Sequence, residues 1–193
     1  MLPHDGGTND SNIPSVNLVR FGNVEPELLE SLARSVAGYF RTLEEEMSIQ
    51  PTILRSRRWL PEKIPDQYQG DFLLSHLEAV PGNIVIGITD IVFFDPHLPR
   101  KVFGYGSSGR SIISTYRFRR ESESRRVLYD RLNKEIIKIF AMACDLPVCN
   151  DTECIVMYHK SMEDIDKNTR VCPKCRQKIV KSLEYYMGAK NLG

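Results

Sequence analysis

Histidine is scarce and scattered in this 193-residue chain: the four are His4, His76, His97 and His159, and the two nearest stand 21 residues apart. No His-x3-His pair exists, which excludes the helical two-histidine zinc motif in its ordinary form. Net charge is almost absent too, with 26 Lys and Arg against 25 Asp and Glu. A bulk attraction to nucleic acid or to an anionic membrane is therefore not encoded. No apolar run approaches the roughly 20 residues that a membrane-spanning helix needs. The amino terminus, MLPHDGGTNDSNIP, lacks the basic start and apolar stretch of a secretory signal. The expectation is a cytoplasmic monomer with no membrane partner.

What is present is an ordinary globular composition, 41% hydrophobic and 26% charged, in a chain long enough for one domain or one domain with a small appendage. Residues 1–14 read as a disordered tail. A strand is expected over 16–21. A helix opens at Glu25 and Pro26, with Leu28, Leu29, Leu32, Val36 and Phe40 at helical spacing. A second strand is expected over 50–56 and a short helix over 69–77. Residues 83–89, NIVIGIT, are short, β-branched and apolar, the pattern of a central strand. Residues 91–94 read as its continuation, Asp95 and Pro96 as a turn, 102–109 as an edge strand or loop, and 111–118 as another strand. After a charged connector over 119–126, a helix is predicted over 127–144, with Leu132, Ile136, Ile139, Phe140 and Ala143 forming one apolar stripe. Asp145, Leu146 and Pro147 end it. A last helix is expected over 174–187. This order of strands and helices predicts an α+β fold, a mixed sheet packed with helices plus a small C-terminal part.

Five cysteines are an odd count, and four fall in the last quarter as Cys149-x4-Cys154-x17-Cys172-x2-Cys175. Disulfide frameworks usually show an even count spread along the chain. Two thiolate pairs separated by a loop can instead converge into the tetrahedral sulfur shell that zinc prefers, and four protein ligands leave no position for a reactive water. The spacing thus points to one structural Zn2+. Two disulfides, unligated thiols or an iron–sulfur cluster would use the same residues. Lys174, between two of the ligands, would offset thiolate charge. Cys144 lies in the helix pattern and reads as a small buried apolar residue.

Gly87, Ile88, Thr89 and Asp90, then Phe94, then Val102, Phe103 and Gly104, then Ser114 and Arg117, then Lys134 and Glu135, form a series. It ends in Cys149-x4-Cys154, Met157, Asp166, Lys167 and Cys172-x2-Cys175. Together these resemble the archaemetzincins, zinc metallopeptidases of the metzincin clan. The likeness is strong over roughly half the chain and looser before it. It implies a metzincin-like sheet-and-helix part over 15–147 and a zinc-stapled part over 148–193. In the family a helix carries His-Glu-x-x-His-x-x-Gly-x-x-His, and the first cysteine follows directly. The three histidines hold the catalytic zinc and the glutamate polarises its water. Counting back from Cys149, Lys138 stands at the first histidine, Ile139 at the glutamate, Met142 at the second histidine, Asp145 at the glycine and Val148 at the third histidine. An ammonium repels Zn2+, a thioether binds it weakly, and hydrocarbon neither binds metal nor accepts a proton. Met157 corresponds to the methionine beneath the family's zinc, at one residue more than the usual Cys-x-Met spacing.

The resemblance therefore implies a zinc-binding metallopeptidase homologue that has lost catalysis, with one structural zinc and a former catalytic cleft open to a peptide or protein partner. Lys138 could pair with an acidic group there. An active peptidase would need substitute ligands from Glu135, Asp145, His159 (with His97 meeting it in space) or a partner chain. A nucleic-acid-binding zinc module would rely on Lys174, Arg176, Lys178 and Lys181, together with Arg55, Arg57, Arg58 and Trp59; short basic runs are usually solvated surface.

Overall fold

A computed structural model describes residues 15–43, 52–57, 68–94 and 102–188 of the chain. The expected tail over 1–14, the turn at Asp95 and Pro96, His4, His97, Arg58 and Trp59 lie outside the described residues.

The elements in chain order are β1 (Ser15–Phe21), α1 (Pro26–Leu43), β2 (Thr52–Arg57), β3 (Tyr68–Gln69), α2 (Gly70–Glu78), β4 (Ile84–Thr89), β5 (Phe93–Phe94), β6 (Gly104–Ser107), β7 (Arg110–Ser114), α3 (Tyr116–Glu121), α4 (Arg125–Ala143), α5 (Met162–Lys167) and α6 (Pro173–Gly188). Five strands form one mixed sheet in the order β2-β1-β4-β7-β6. All neighbours are parallel except β6, which runs antiparallel to β7 at the edge.

The strand period of two sorts the apolar side chains onto two faces. Ile84, Ile86 and Ile88 of β4, with Val16 and Leu18 of β1, face the larger core, which α1 and α4 cover. Val85, Val19, Phe21 and Ile112 face a smaller core capped by Leu73 and Leu77 of α2. Every residue of β4 is buried, as the unbroken apolar run requires. The α4 stripe Leu132, Ile136, Ile139, Phe140 and Ala143 is fully buried, and Phe140 meets Phe40 of α1 edge to face at 5.1 Å. Ile165, Cys172, Cys175, Ile179 and Leu183 join this same core, so the cysteine-bearing part packs on the sheet-and-helix part.

Four expectations change. The strand expected over 111–118 stops at Ser114, because the Thr115 amide and hydroxyl both donate to the Thr89 carbonyl, at 2.7 and 3.0 Å, and α3 starts there. The connector over 119–126 is therefore partly helix; Ser124 caps α4 by accepting from the Val127 amide at 3.3 Å. Residues 91–94 do not extend β4. The Asp90 carboxylate accepts the Asn23 amide at 3.1 Å, the chain turns away, and β5 pairs with β3 in a separate two-stranded sheet. Helix α5 was missed, although Ser161 and Asp164 make a reciprocal capping box that the pattern Ser-x-x-Asp announces.

The β6–β7 hairpin fixes the end of α4. Ser108 and Gly109 both have positive φ, 49° and 79°, as a type I′ turn demands. The Gly109 amide donates to the Ala143 carbonyl at 2.8 Å, and the Ser108 amide donates to Asp145 Oδ1 at 2.5 Å. Gly104 lets β6 touch α4: a Cβ there would overlap Ile139 Cδ1 and lie 2.8 Å from Ile139 Cγ1 and 3.1 Å from the Ile112 carbonyl oxygen. Gly104→Ala is predicted to cost about 1–3 kcal/mol through overpacking. Denaturant unfolding of a double-mutant cycle with Ile139→Val, which removes the overlapping methyl, should recover a large part of the loss.

Candidate functional site

Four cysteines converge where the loop after α4 meets the start of α6. Cys149 follows the α4 exit, Cys154 lies in the next loop, Cys172 precedes α6 and Cys175 sits in its first turn. Backbone bonds hold these segments in place: Cys149 N to the Val156 carbonyl at 3.2 Å, and Ile155 N to the Arg170 carbonyl at 2.8 Å. The four sulfurs all lie within 4.8 Å of one another, and Cys149 Sγ is 3.7 Å from Cys172 Sγ. That separation is near the edge of a sulfur tetrahedron built on Zn–S bonds of about 2.3 Å, which is about 3.8 Å, and far beyond a disulfide bond of about 2.05 Å. All five cysteines are free thiols. Amides of Asp151 and Cys172 donate to Cys149 Sγ and Cys154 Sγ, each at 3.4 Å. Burial pushes the Cys154 and Cys175 thiols up, so a cation is needed to hold them as thiolates. Among the described residues this is the one group of three or more His, Cys, Asp or Glu side chains that could hold a metal. Cys144 is buried in the core and apart from it.

A cavity of about 340 Å³ opens beside this knot, between α4 and the edge strand β6. Lys138, Met142 and Val148 line it together. The i, i+4 spacing puts the first two on one side of α4, and the chain leaving the helix brings Val148 to the same wall. Ile139 points away, fully buried, onto Gly104. The register counted back from Cys149 thus places the three histidine-equivalent positions around one space and fills them with an ammonium, a thioether and an isopropyl group. Met157 is half-buried and does not line the cavity; Val156, which stands at the Cys-x-Met spacing after Cys154, does.

The charged groups at the cavity floor are internally matched. Lys138 Nζ donates to Glu135 Oε1 at 3.1 Å and lies 3.3 Å from His159 Nδ1. Glu135 Oε2 lies 2.7 Å from the same Nδ1. Asn168 donates its amide to the Thr152 carbonyl at 2.8 Å, which turns its Oδ1 toward His159 Nε2 at 2.5 Å. Burial alone would push the Glu135 carboxyl up, but the Lys138 charge and the His159 contact outweigh it and hold it at about 2. Both His159 nitrogens are engaged, so neither lone pair faces the cavity. Of the substitute ligands the sequence offered, Glu135 and His159 meet, but the third member is a cation; the Asp145 carboxylate holds the Ser108 amide instead. These residues do not fit a second zinc. The pairing of Glu135 with Lys138 and His159 was not foreseen, although the i, i+3 spacing of the first two was visible.

Helix α6 carries four of the basic residues of the third reading. Lys174, Lys178 and Lys181 are exposed along α6, Arg176 donates to the Thr42 carbonyl, and the side chains of Arg55 and Arg57 lie outside the described residues. Among the described residues, no helix is long and apolar enough to cross a membrane.

No protein-family profile matches the chain. An archaemetzincin from Saccharolobus solfataricus is 26% identical over 181 residues, spanning 87% of this chain and 94% of that protein. An archaemetzincin from Methanocaldococcus jannaschii is 30% identical over 120 residues, 58% of this chain and 66% of that protein. The crystal structure of an archaemetzincin from Methanopyrus kandleri superposes with a TM-score of 0.74 at 22% identity, covering 92% of this chain and 99% of that one.

Removing one partner of the floor strands the other. Lys138→Met should cost about 3–5 kcal/mol in denaturant unfolding by leaving a buried carboxylate uncompensated, and adding Glu135→Gln should recover much of it. Glu135 ionises at about 2 when folded against an ordinary 4.5. Its depressed value means the stabilisation is present above pH 4.5 and is lost as pH falls toward 2. Stability measured across that window should fall more steeply in the parent than in the double variant.

Proposed function

We propose that this chain, archaemetzincin-like in sequence and fold, is a zinc-stabilised binding protein whose former catalytic cleft holds a peptide segment without cutting it. The observation that carries the reading is the floor of the cavity. Lys138, Met142 and Val148 face it, and Lys138 is fixed there by the buried Glu135. No imidazole, carboxylate or thiolate at those positions is free to take a metal, and Ile139, at the place of the water-polarising glutamate, is packed in the core.

The four cysteines fit one zinc. Cys149, Cys154, Cys172 and Cys175 would hold it, and it would supply fixed charge and cross-linking, not catalysis. Residues 150–171 hold a single short helix, α5, so the ion would contribute much of the folding free energy of this segment. The cleft remains open, with edge strand β6 along one side. An accessible, mostly apolar cavity with a few polar groups at one end suits ligand binding.

Metal analysis of protein purified without added zinc should return one zinc per chain. Cleavage of a mixed peptide library should stay at background with or without added zinc. Two ions per chain together with chelator-sensitive hydrolysis would contradict the reading.

A further inference from the structure

The cavity has a chemical polarity that narrows what it can hold. Among the described residues, three that line it are cations, Lys138, Arg117 and Lys160, and none is an aspartate or glutamate. The compensating Glu135 sits behind Lys138, with no exposed surface. A lysine ammonium has three N–H donors, and Lys138 has one close acceptor, Glu135 Oε1, since His159 Nδ1 gives its proton to Glu135 Oε2. At least one N–H is left for the cavity. Arg117 adds field but not a fork, because Glu121 takes its guanidinium through two contacts of 2.8 and 3.3 Å. Met142, Val148 and Val156 line the same cavity as the ammonium; Val148 is 55% exposed, apolar surface left open to water at the mouth.

We propose that the cleft captures the C-terminal carboxylate of a peptide, with one oxygen on the Lys138 ammonium and the last apolar side chain against Met142, Val148 and Val156. The proposal rests on the reading of the cleft as free of metal and names the ligand class that this cleft takes. Charge decides for a monoanion: the floor offers one ammonium already shared with Glu135, and no helix N-terminus or free guanidinium fork of the kind that favours phosphate. Geometry decides for a chain terminus. In a terminal carboxylate the apolar side chain branches from the adjacent carbon, so one short chain end carries both the anion and the hydrocarbon that the ammonium and the apolar wall of one small cavity can receive. An internal aspartate or glutamate would bring only methylene to that patch. The volume of 340 Å³ lies at the small end of ligand sites, roughly 300–1,000 Å³, enough for a chain end and not for a long segment. Capture of a terminal carboxylate is a recurring mode of peptide recognition.

The test uses the full zinc-loaded chain and an N-acetylated tripeptide ending in leucine, as free acid, as C-terminal amide, and as the amide of a sequence ending in glutamate. Calorimetric titration should show the free acid binding at least about tenfold more tightly than either amide, the scale of one charge-assisted hydrogen bond, and weakening with added salt. Lys138→Met should remove the discrimination. In case that variant folds poorly, Val148→Glu changes an exposed position. It should shrink the preference for acid over amide about fivefold or more, because like-charge repulsion acts on the acid alone while loss of the valine contact weakens both. Equal binding of acid and amide, preference for the glutamate amide, or no binding at about 1 mM to protein carrying one zinc would overturn the proposal. A second zinc ion in the same preparation would instead overturn the reading beneath it.

Discussion

An amine can stay charged out of water only if an anion is held against it, and the cost of stripping both of solvent must be met by close geometry and further hydrogen bonds. Lys138 and Glu135 meet that condition on one turn of α4, 3.1 Å apart, with side chains 8% and 0% exposed. His159 and Asn168 complete the shell and tie it to the Thr152 carbonyl. This is the contact through which the segment after the first cysteine pair is docked onto the central helix. Arg131 on the same helix adds a bidentate grip on Asp166, at 2.8 and 2.7 Å. Arg–carboxylate forks of this kind fix orientation as well as distance.

Helix α4 thus serves two environments. Leu132, Ile136, Ile139, Phe140 and Ala143 are sealed against the sheet and α1, while Arg131, Glu135, Lys138 and Met142 address the cysteine-bearing part and the cavity. Val148 is exposed at the cavity mouth, and Met142 lines the cavity while packing against the larger core. The ammonium at Lys138 is matched by Glu135, one turn before it. Ile139, in contrast, packs against Gly104, where an added Cβ would overlap its Cδ1. The sulfur cluster carries a separate demand, since buried thiols stay protonated without a cation, and it draws three stretches of chain to one point.

Much of this was legible because it depended on local period or on one-to-one spacing. The unbroken apolar run of β4 declared a central strand, the stripe of α4 declared its buried face, and two cysteine pairs declared a converging cluster. Counting back from Cys149 picked out Lys138, Met142 and Val148, which the structure places on one cavity, and the apolar stripe marked Ile139 as buried. What could not be read depended on contacts between distant residues. Nothing in the spacing of 24 residues says that His159 returns to Glu135, so Glu135 looked like a reserve metal ligand when it is the counter-ion of Lys138. The end of β7 at Ser114 follows from Thr115 bonding to Thr89, 26 residues away. The extra residue before Met157 shifted that side chain out of the cavity and put Val156 in, an offset that sequence spacing displayed but whose outcome only the backbone path decides.

The central claim is that an ammonium–carboxylate pair stands where a catalytic metal ion would otherwise be held, while a single metal stays with the sulfurs. Crystals of the zinc-loaded protein, measured on both sides of the zinc absorption edge, test this directly. The account predicts one anomalous peak per chain, enclosed by Cys149, Cys154, Cys172 and Cys175, and none near Lys138 Nζ. A second peak between α4 and β6, with donors gathered around it and Lys138 swung aside, would contradict it.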